Sequence, residues 1–273
     1  MCYYNGQRVT RVEFIELKRL EKKVKNYDFL DVGVHNGFEH KPCAILVPNE
    51  DCSDFEIVQM EWGFIPYNVR DRAEATIFQS RYLTMNAKAE NLFLNDQGRP
   101  SMWADAARNR RGLMLSTGIY EYRHVFPMGK KGVPLKTAVK YPYHVSVKER
   151  PYFFMPAVWQ EWTDRQTGET VLTGANTTTM ANTVMRQIHN SKERMPTILT
   201  DDLAWEWMMS KELSEARITE IALTQVPSSK LDFCTVDKAF RASAAPESPF
   251  EYADLAPIDL TYADTEKFEY PTW

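Results

Sequence analysis

The apolar positions of this chain fall into two rhythms, one helical and one strand-like. Over residues 10–25, Phe14, Leu17, Leu20 and Val24 recur every three or four positions, with Lys and Glu between them. That spacing predicts an amphipathic helix with a solvated charged face. Thr10 and Glu13 stand in the spacing of a capping box at its start. Three further helices are expected: 101–110 behind a Ser cap, 180–189, and 201–210 with acids in its first turn. The middle of the chain changes rhythm. CAILV (43–47), FEIVQMEWGFIP (55–66), RGLMLSTGIYEY (111–122), YHVSVK (143–148), YFFMPAVWQEW (152–162), ETVLTGAN (169–176) and IALTQV (221–226) are short, β-branched or aromatic, and separated by turn residues. Each predicts a strand.

Strands dominate and no regular βαβ alternation is present. The pattern therefore predicts a single α+β domain around a mostly antiparallel, curled sheet, with helices at its periphery. The length of 273 residues suffices for one sizeable core. The main domain is expected over 1–243. Residues 244–273 are acidic, contain Pro and are weakly patterned, so they are expected to wrap the surface or to be partly disordered.

Charge and composition narrow the classes. A net charge of −4 argues against a polyanion binder as a whole, while leaving room for a local basic cleft. Aromatics reach 12%, which suits a β-rich core or a stacking surface. The N-terminus has no basic stretch followed by an apolar one. The longest apolar runs fall far short of the ~20 residues a membrane span needs. A cytoplasmic protein without a membrane partner is expected, and nothing demands more than a monomer. The four cysteines, Cys2, Cys43, Cys52 and Cys234, form no CxxC and read as free thiols. His35, His40, Cys43 and Cys52 lie close in sequence but match no zinc spacing, so neither metal nor cofactor is expected.

Four stretches carry candidate chemistry. Cys2 follows the initiator directly. Chain ends fray unless they are packed, so a cysteine there is either incidental or a terminus with a task. If Met1 is removed, Cys2 presents an α-amine of pKa about 8 beside a thiol of pKa about 8.5. An amine and a thiol on adjacent carbons trap an aldehyde: the amine forms an imine and the sulfur closes a thiazolidine ring. In NAKAE (86–90), Asn86 is either a helix cap or a polar clamp, Lys88 a phosphate contact, and Glu90 a surface residue. In GIYEY (118–122), alternation sets Tyr120 and Tyr122 on one face and Glu121 on the other. A carboxylate among aromatics is desolvated toward acid–base duty, unless it is a rim residue paired with a cation. In IHNSKERMP (188–196), His189 is either a helix-terminal cation or a general acid–base, with Lys192 and Arg194 as phosphate contacts or solvated charges. A protease dyad of Cys2 and His189 is unattractive, because no strand can precede position 2 to support the nucleophile.

Met1-Cys2, EWGFIP (61–66), NAKAE, GIYEY, AVWQEW (157–162), LTGAN (172–176) and His189…RMPTIL together resemble the SRAP family, the SOS-response-associated peptidases or abasic-site processing proteins. The order and approximate spacing hold from residue 1 to about residue 226. The resemblance implies a compact α+β pseudo-barrel that binds abasic sites in single-stranded DNA and captures the ring-opened aldehyde on Cys2 as a thiazolidine crosslink. It implies self-removal of Met1, which the peptidase name reflects. A cysteine peptidase acting on other chains and a non-catalytic single-strand binder are the alternatives. By the same resemblance Asn86 holds the terminal amine or sugar, Glu121 is an acid–base group, and His189 protonates the sugar oxygen or assists reversal. Lys88, Arg81 and Arg194 would meet DNA phosphates, Trp62 with Pro66 would shape the cleft, and Tyr67 would stack on a base.

The chain also departs from the family pattern. Tyr4 stands where the family often has Arg, leaving Arg8 as the nearest substitute. Lys88 replaces the Arg of NARAE, a weaker bidentate phosphate ligand. Tyr67 and Asn68 follow WGFIP where the family often has Trp. HNSKERMP carries three more residues between His189 and Arg194 than the usual His-x-Arg-Met-Pro.

Overall fold

A computed structural model describes residues 2–8, 31–263, 265–268 and 271–273. The helix expected over 10–25 lies outside the described residues. In chain order the strands are β1 (Tyr4–Arg8), β2 (Asp31–Asn36), β3 (Pro42–Pro48), β4 (Phe55–Trp62), β5 (Asn86–Lys88) and β6 (Arg111–Ser116). They continue as β7 (Gly118–Val125), β8 (Val139–Val147), β9 (Phe153–Thr163), β10 (Thr170–Met180), β11 (Arg194–Pro196) and β12 (Leu231–Thr235). The described α-helices are α1 (Arg72–Arg81), α2 (Ala104–Asn109), α3 (Thr183–Ile188), α4 (Asp201–Met209) and α5 (Glu215–Leu223).

Strands β10, β4, β3, β6 and β9 pair in that order, and β9 pairs back onto β10. This closes a five-stranded barrel, which leaves no free edge among its own strands. β10 runs parallel to β4, and the other barrel pairs are antiparallel. The second sheet has the order β12-β8-β7-β1-β2. The α+β class and the curled, largely antiparallel sheet are as the sequence predicts.

Strand β3 shows why its sequence is continuously apolar. Ala44 and Leu46 join a core beneath α4 and α5 that contains Phe55, Leu113 and Trp207. Cys43, Ile45 and Val47 join a second core between the barrel and the other sheet, with Met60, Trp62, Ile119 and Phe153. A strand buried on both faces has no polar side to alternate with.

The expected strand 111–122 is two strands. The chain steps out of the barrel at Thr117, whose N–H donates to Gly6 O at 2.8 Å, and continues as β7 of the second sheet. A side chain at Gly118 would put its Cβ 1.9 Å from His144 Nε2, so the step requires glycine. The expected strand 221–226 is instead the end of α5 and the turn after it. Ser214 caps that helix by accepting from Arg217 N, and Ile218, Ile221 and Ala222 form its buried stripe. The strand in this region is β12, after Pro227. Helix α1 carries no apolar stripe to announce it, since its sequence is polar and buries only Ala75; Asp71 caps it by accepting from Glu74 N.

The described part of the 244–273 segment lies against the domain. Phe250 N donates to Thr235 O at 2.8 Å, Tyr252 Oη to Val236 O at 2.8 Å, and Trp273 Nε1 to Ile198 O at 2.7 Å. Among the described residues no helix is long and apolar enough to cross a membrane.

Gly63, which ends the EWG motif, has φ +154°, and a Cβ there would fall 2.2 Å from His40 Nδ1. That His nitrogen lies 2.9 Å from Trp62 O, fixing the approach of the Trp62 segment. Gly63→Ala is expected to lower the unfolding free energy by at least about 2 kcal/mol, read by urea denaturation. A loss under about 0.5 kcal/mol would contradict this packing.

Candidate active site

Cys2, the first described residue, lies inside the protein rather than on its surface. Strand β1 sits between β2 and β7, with Tyr4 opposite Tyr120 and Asn36. Cys2 precedes it and is fully buried, with its thiol 3.5 Å from Tyr4 O. Its pKa is driven well above the usual thiol range, first by desolvation and then by the negative charge of Glu121. The thiol is therefore protonated and needs a base before it reacts as a nucleophile.

Asn86 reaches the same point from β5. Its Nδ2 donates to Cys2 O at 2.9 Å, while its buried Oδ1 has no partner among the described residues. Two contacts set β5 in place. Its Asn86 lies opposite Asn176 of β10 in parallel register. The Trp62 indole N–H bridges Met85 O at 2.9 Å and Asn176 Oδ1 at 3.1 Å. Trp62 is thus a buried strut behind the site, with its ring closed to solvent.

Glu121 lies on β7, on the face opposite Tyr120 and Tyr122, which pack with Phe240. The alternation of GIYEY predicts this placement. The carboxyl is 3% exposed, and its Oε1 has no hydrogen-bond partner among the described residues. Desolvation raises its pKa to about 8.

His189 follows the last residue of α3. Its Nδ1 lies 2.7 Å from Arg194 O, and since a carbonyl only accepts, Nδ1 carries the proton. The Nε2 lone pair then faces Glu121 Oε2 at 3.9 Å. Desolvation lowers the His189 pKa to about 4. Near pH 7 the pair is therefore a neutral imidazole facing a largely protonated carboxylic acid, not a salt bridge. One group offers a proton and the other a lone pair, as bifunctional proton transfer requires.

The remaining candidate residues lie elsewhere. Arg194 is buried, and its guanidinium spans both Glu90 oxygens, at 2.5 and 2.9 Å, and Thr178 Oγ1 at 3.1 Å. It faces inward, and its backbone carbonyl is the one that orients His189. Lys88 is exposed two residues past Asn86, and Arg81 is exposed in the last turn of α1. Tyr67 is exposed with the Arg110 guanidinium over its ring. Asn176 and Thr178 are supporting residues that the sequence reading does not single out, and Glu90, read there as a surface residue, is the partner of Arg194. The carboxylate of NAKAE and the arginine of RMP were the available signal, because a buried guanidinium demands such a partner. Of the unconvincing metal candidates, Cys43 is core and His40 is bonded to Trp62 O. Among the described residues no three His, Cys, Asp or Glu side chains gather as metal ligands.

The raised Glu121 pKa links the site to stability. Its protonated form is favoured by folding, so its contribution is fully present below about pH 4.5 and is lost as pH rises through about 8. Wild-type protein is expected to lose on the order of a few kcal/mol from this group between pH 5 and 8.5. Glu121→Gln should flatten that limb in thermal or urea unfolding; parallel curves for the two proteins would contradict the burial argument.

The site and fold can be set beside known proteins. The sequence matches the SOS response associated peptidase (SRAP) family over residues 7–242. The "Abasic site processing protein YoqW" of Bacillus subtilis is 28% identical over 167 residues, 61% of this chain and 63% of its own length. The match therefore spans somewhat less than two thirds of that relative. "Abasic site processing protein YoaM" of the same organism is 23% identical over 192 residues, 68% of this chain and 74% of its own. A crystal structure of a protein from Bacteroides thetaiotaomicron is similar with a TM-score of 0.71 at 26% identity, covering 91% of this chain and 97% of that one. Another, from Bordetella bronchiseptica, shares the fold with a TM-score of 0.65 at 16% identity, covering 86% of this chain and all of that one. With the family match extending over most of its length, this chain belongs to the SRAP family.

Proposed function

We propose that this protein processes abasic sites in single-stranded DNA by capturing the ring-opened sugar aldehyde on Cys2 after Met1 is removed. The observation that carries this reading is that Asn86 bonds the Cys2 carbonyl, the Glu121 charge acts on the buried Cys2 thiol, and His189 faces Glu121. The names of the relatives, abasic site processing proteins, support the same substrate.

The chemistry follows from the groups present. Hydrolysis of the Met1–Cys2 bond leaves a free α-amine on Cys2. Asn86 anchors the Cys2 carbonyl and keeps its Oδ1 available to accept from that amine. The amine attacks the aldehyde carbon, forming a carbinolamine. Glu121, protonated near neutral pH, donates to the departing hydroxyl, and one water leaves as the imine forms. The thiol then adds to the imine carbon: the C–S bond forms and the nitrogen takes up a proton. Since burial holds the thiol protonated, the Glu121 carboxylate or the His189 Nε2 lone pair must relay that proton. The balance is one aldehyde and one aminothiol giving one thiazolidine and one water.

The surface residues complete the reading. Lys88, two positions from Asn86, and Arg81 would contact phosphates, and exposed Tyr67 would stack on a base. Arg194 serves through its carbonyl, which orients His189, while its guanidinium is held by Glu90. A peptidase acting on other polypeptides has no comparable observation behind it.

The test is a denaturing gel with a single-stranded oligonucleotide carrying one abasic site, using protein whose loss of Met1 is verified by intact mass. A slow band resistant to denaturation is expected with wild type, and none with Cys2→Ala or undamaged DNA. Glu121→Gln should slow its appearance about tenfold or more. Absence of the band from Met1-free wild type would overturn the proposal.

A further inference from the structure

His189 is gripped on both sides by side chains that bond to backbone. Two residues before it, Gln187 Nε2 donates to Asp259 O at 2.8 Å and Gln187 Oε1 accepts from Asp259 N at 2.8 Å. One residue after it, Asn190 Oδ1 accepts from His124 N at 2.9 Å and Asn190 Nδ2 donates to His124 O at 2.8 Å. Each carboxamide imitates a paired strand residue, since it meets a donor and an acceptor of one backbone unit.

The Asn190 clamp has a topological reason. β1 pairs with β7 from Gly118 to Tyr120, with Tyr4 opposite Tyr120 at the end of that pairing. The β7 backbone beyond that point has no β1 residue beside it, and Asn190 occupies the N–H and C=O of His124 there. His124 is three residues past Glu121 on the same strand. Asn190 therefore ties the loop that carries His189 to the strand that carries Glu121. It stands within the lengthened HNSKERMP loop, the segment in which this chain departs from the shorter family spacing. The Gln187 clamp joins α3 to the C-terminal segment, beyond the family match that ends at residue 242. The same segment holds the other end of α3, where Glu266 Oε1 accepts from Thr183 N at 3.1 Å and its Oε2 accepts from Ser228 N at 2.7 Å.

We propose that Asn190 and Gln187 are positioning residues that set His189 against Glu121, and that the C-terminal segment is thereby part of the support of the site. This deepens the proposed function and rests on the His189–Glu121 pair acting in proton transfer. Asn190 is exposed, so its loss should not unfold the domain. What it changes is the order of a buried imidazole that faces Glu121 on β7 and feels the charges of His124 on β7 and Lys192 in the loop.

The test uses full-length Asn190→Ala and Gln187→Ala, with Ser191→Ala as a control in the same loop. Two readouts are taken: the His189 titration by NMR without DNA, and the single-turnover crosslinking rate from pH 5 to 9 at saturating abasic oligonucleotide. Asn190→Ala is expected to raise the His189 midpoint from about 4 toward the free value of about 6.5. It should also lower the rate at pH 7 about tenfold and shift its pH profile, with half-saturating DNA unchanged. Gln187→Ala should move both readouts in the same direction, and Ser191→Ala neither. Wild-type titration and rate in both clamp variants, or an equal change in Ser191→Ala, would overturn the inference. If wild type itself forms no crosslink, the functional reading fails, while the DNA-free titration still decides whether the clamps position His189.

Discussion

The structure depends on one buried carboxamide. Gln7 is fully buried on β1, and its side chain reaches into the barrel. Its Nε2 donates to Ala44 O at 3.0 Å and Leu115 O at 2.9 Å, and its Oε1 accepts from Ala44 N at 3.0 Å. Asn5 Nδ2 adds a bond to Leu115 O at 3.0 Å. Barrel backbone that would be costly to leave unpaired is satisfied by a strand of the other sheet. Strand β1, close to a terminus that ordinarily frays, is thereby fixed between the two sheets. Cys2 sits where it does because β1 cannot slide.

That constraint turns burial into chemistry. Withdrawing water from Glu121 and His189 moves their pKa values in opposite directions, to about 8 and about 4. Both become neutral near pH 7. A solvated glutamate and histidine at the same spacing would ionise and attract each other. In the dry site they instead stand as an acid and a base, 3.9 Å apart. The same dryness raises the Cys2 pKa, so the thiol depends on its neighbours to release its proton. The Glu90–Arg194 pair fixes the His189 tautomer at one remove, linking NAKAE to RMP across 104 positions.

Local patterns made much of this legible. β3 was readable because burial on both faces leaves an unbroken apolar run. Glu121 was readable because alternation on β7 separates it from Tyr120 and Tyr122. Other features depend on contacts distant in sequence. The break at Thr117 lies within an apolar run and is decided by Gly6 and His144, neither of which is local. The run 221–226 is strand-like on its own, while the Ser214 cap and Ile218 that make its first half helical lie before it. Arg194 read as a phosphate ligand because a positive charge near a histidine suggests exposure, whereas Glu90 holds it buried. The double clamp on His189 uses two amide side chains whose partners are backbone atoms, and such bonds leave no compositional trace.

The central claim is that the terminal amine and thiol of Cys2 react together. The direct measurement is mass spectrometry of the nuclease- and protease-digested crosslink, with borohydride and alkylating reagent applied beforehand to separate portions. The account predicts an N-terminal peptide beginning at Cys2, carrying one sugar remnant less one water, unchanged by borohydride and closed to alkylation of its sulfur. A remnant on a lysine, a peptide retaining Met1, or an adduct that borohydride reduces while the Cys2 thiol still alkylates would contradict it.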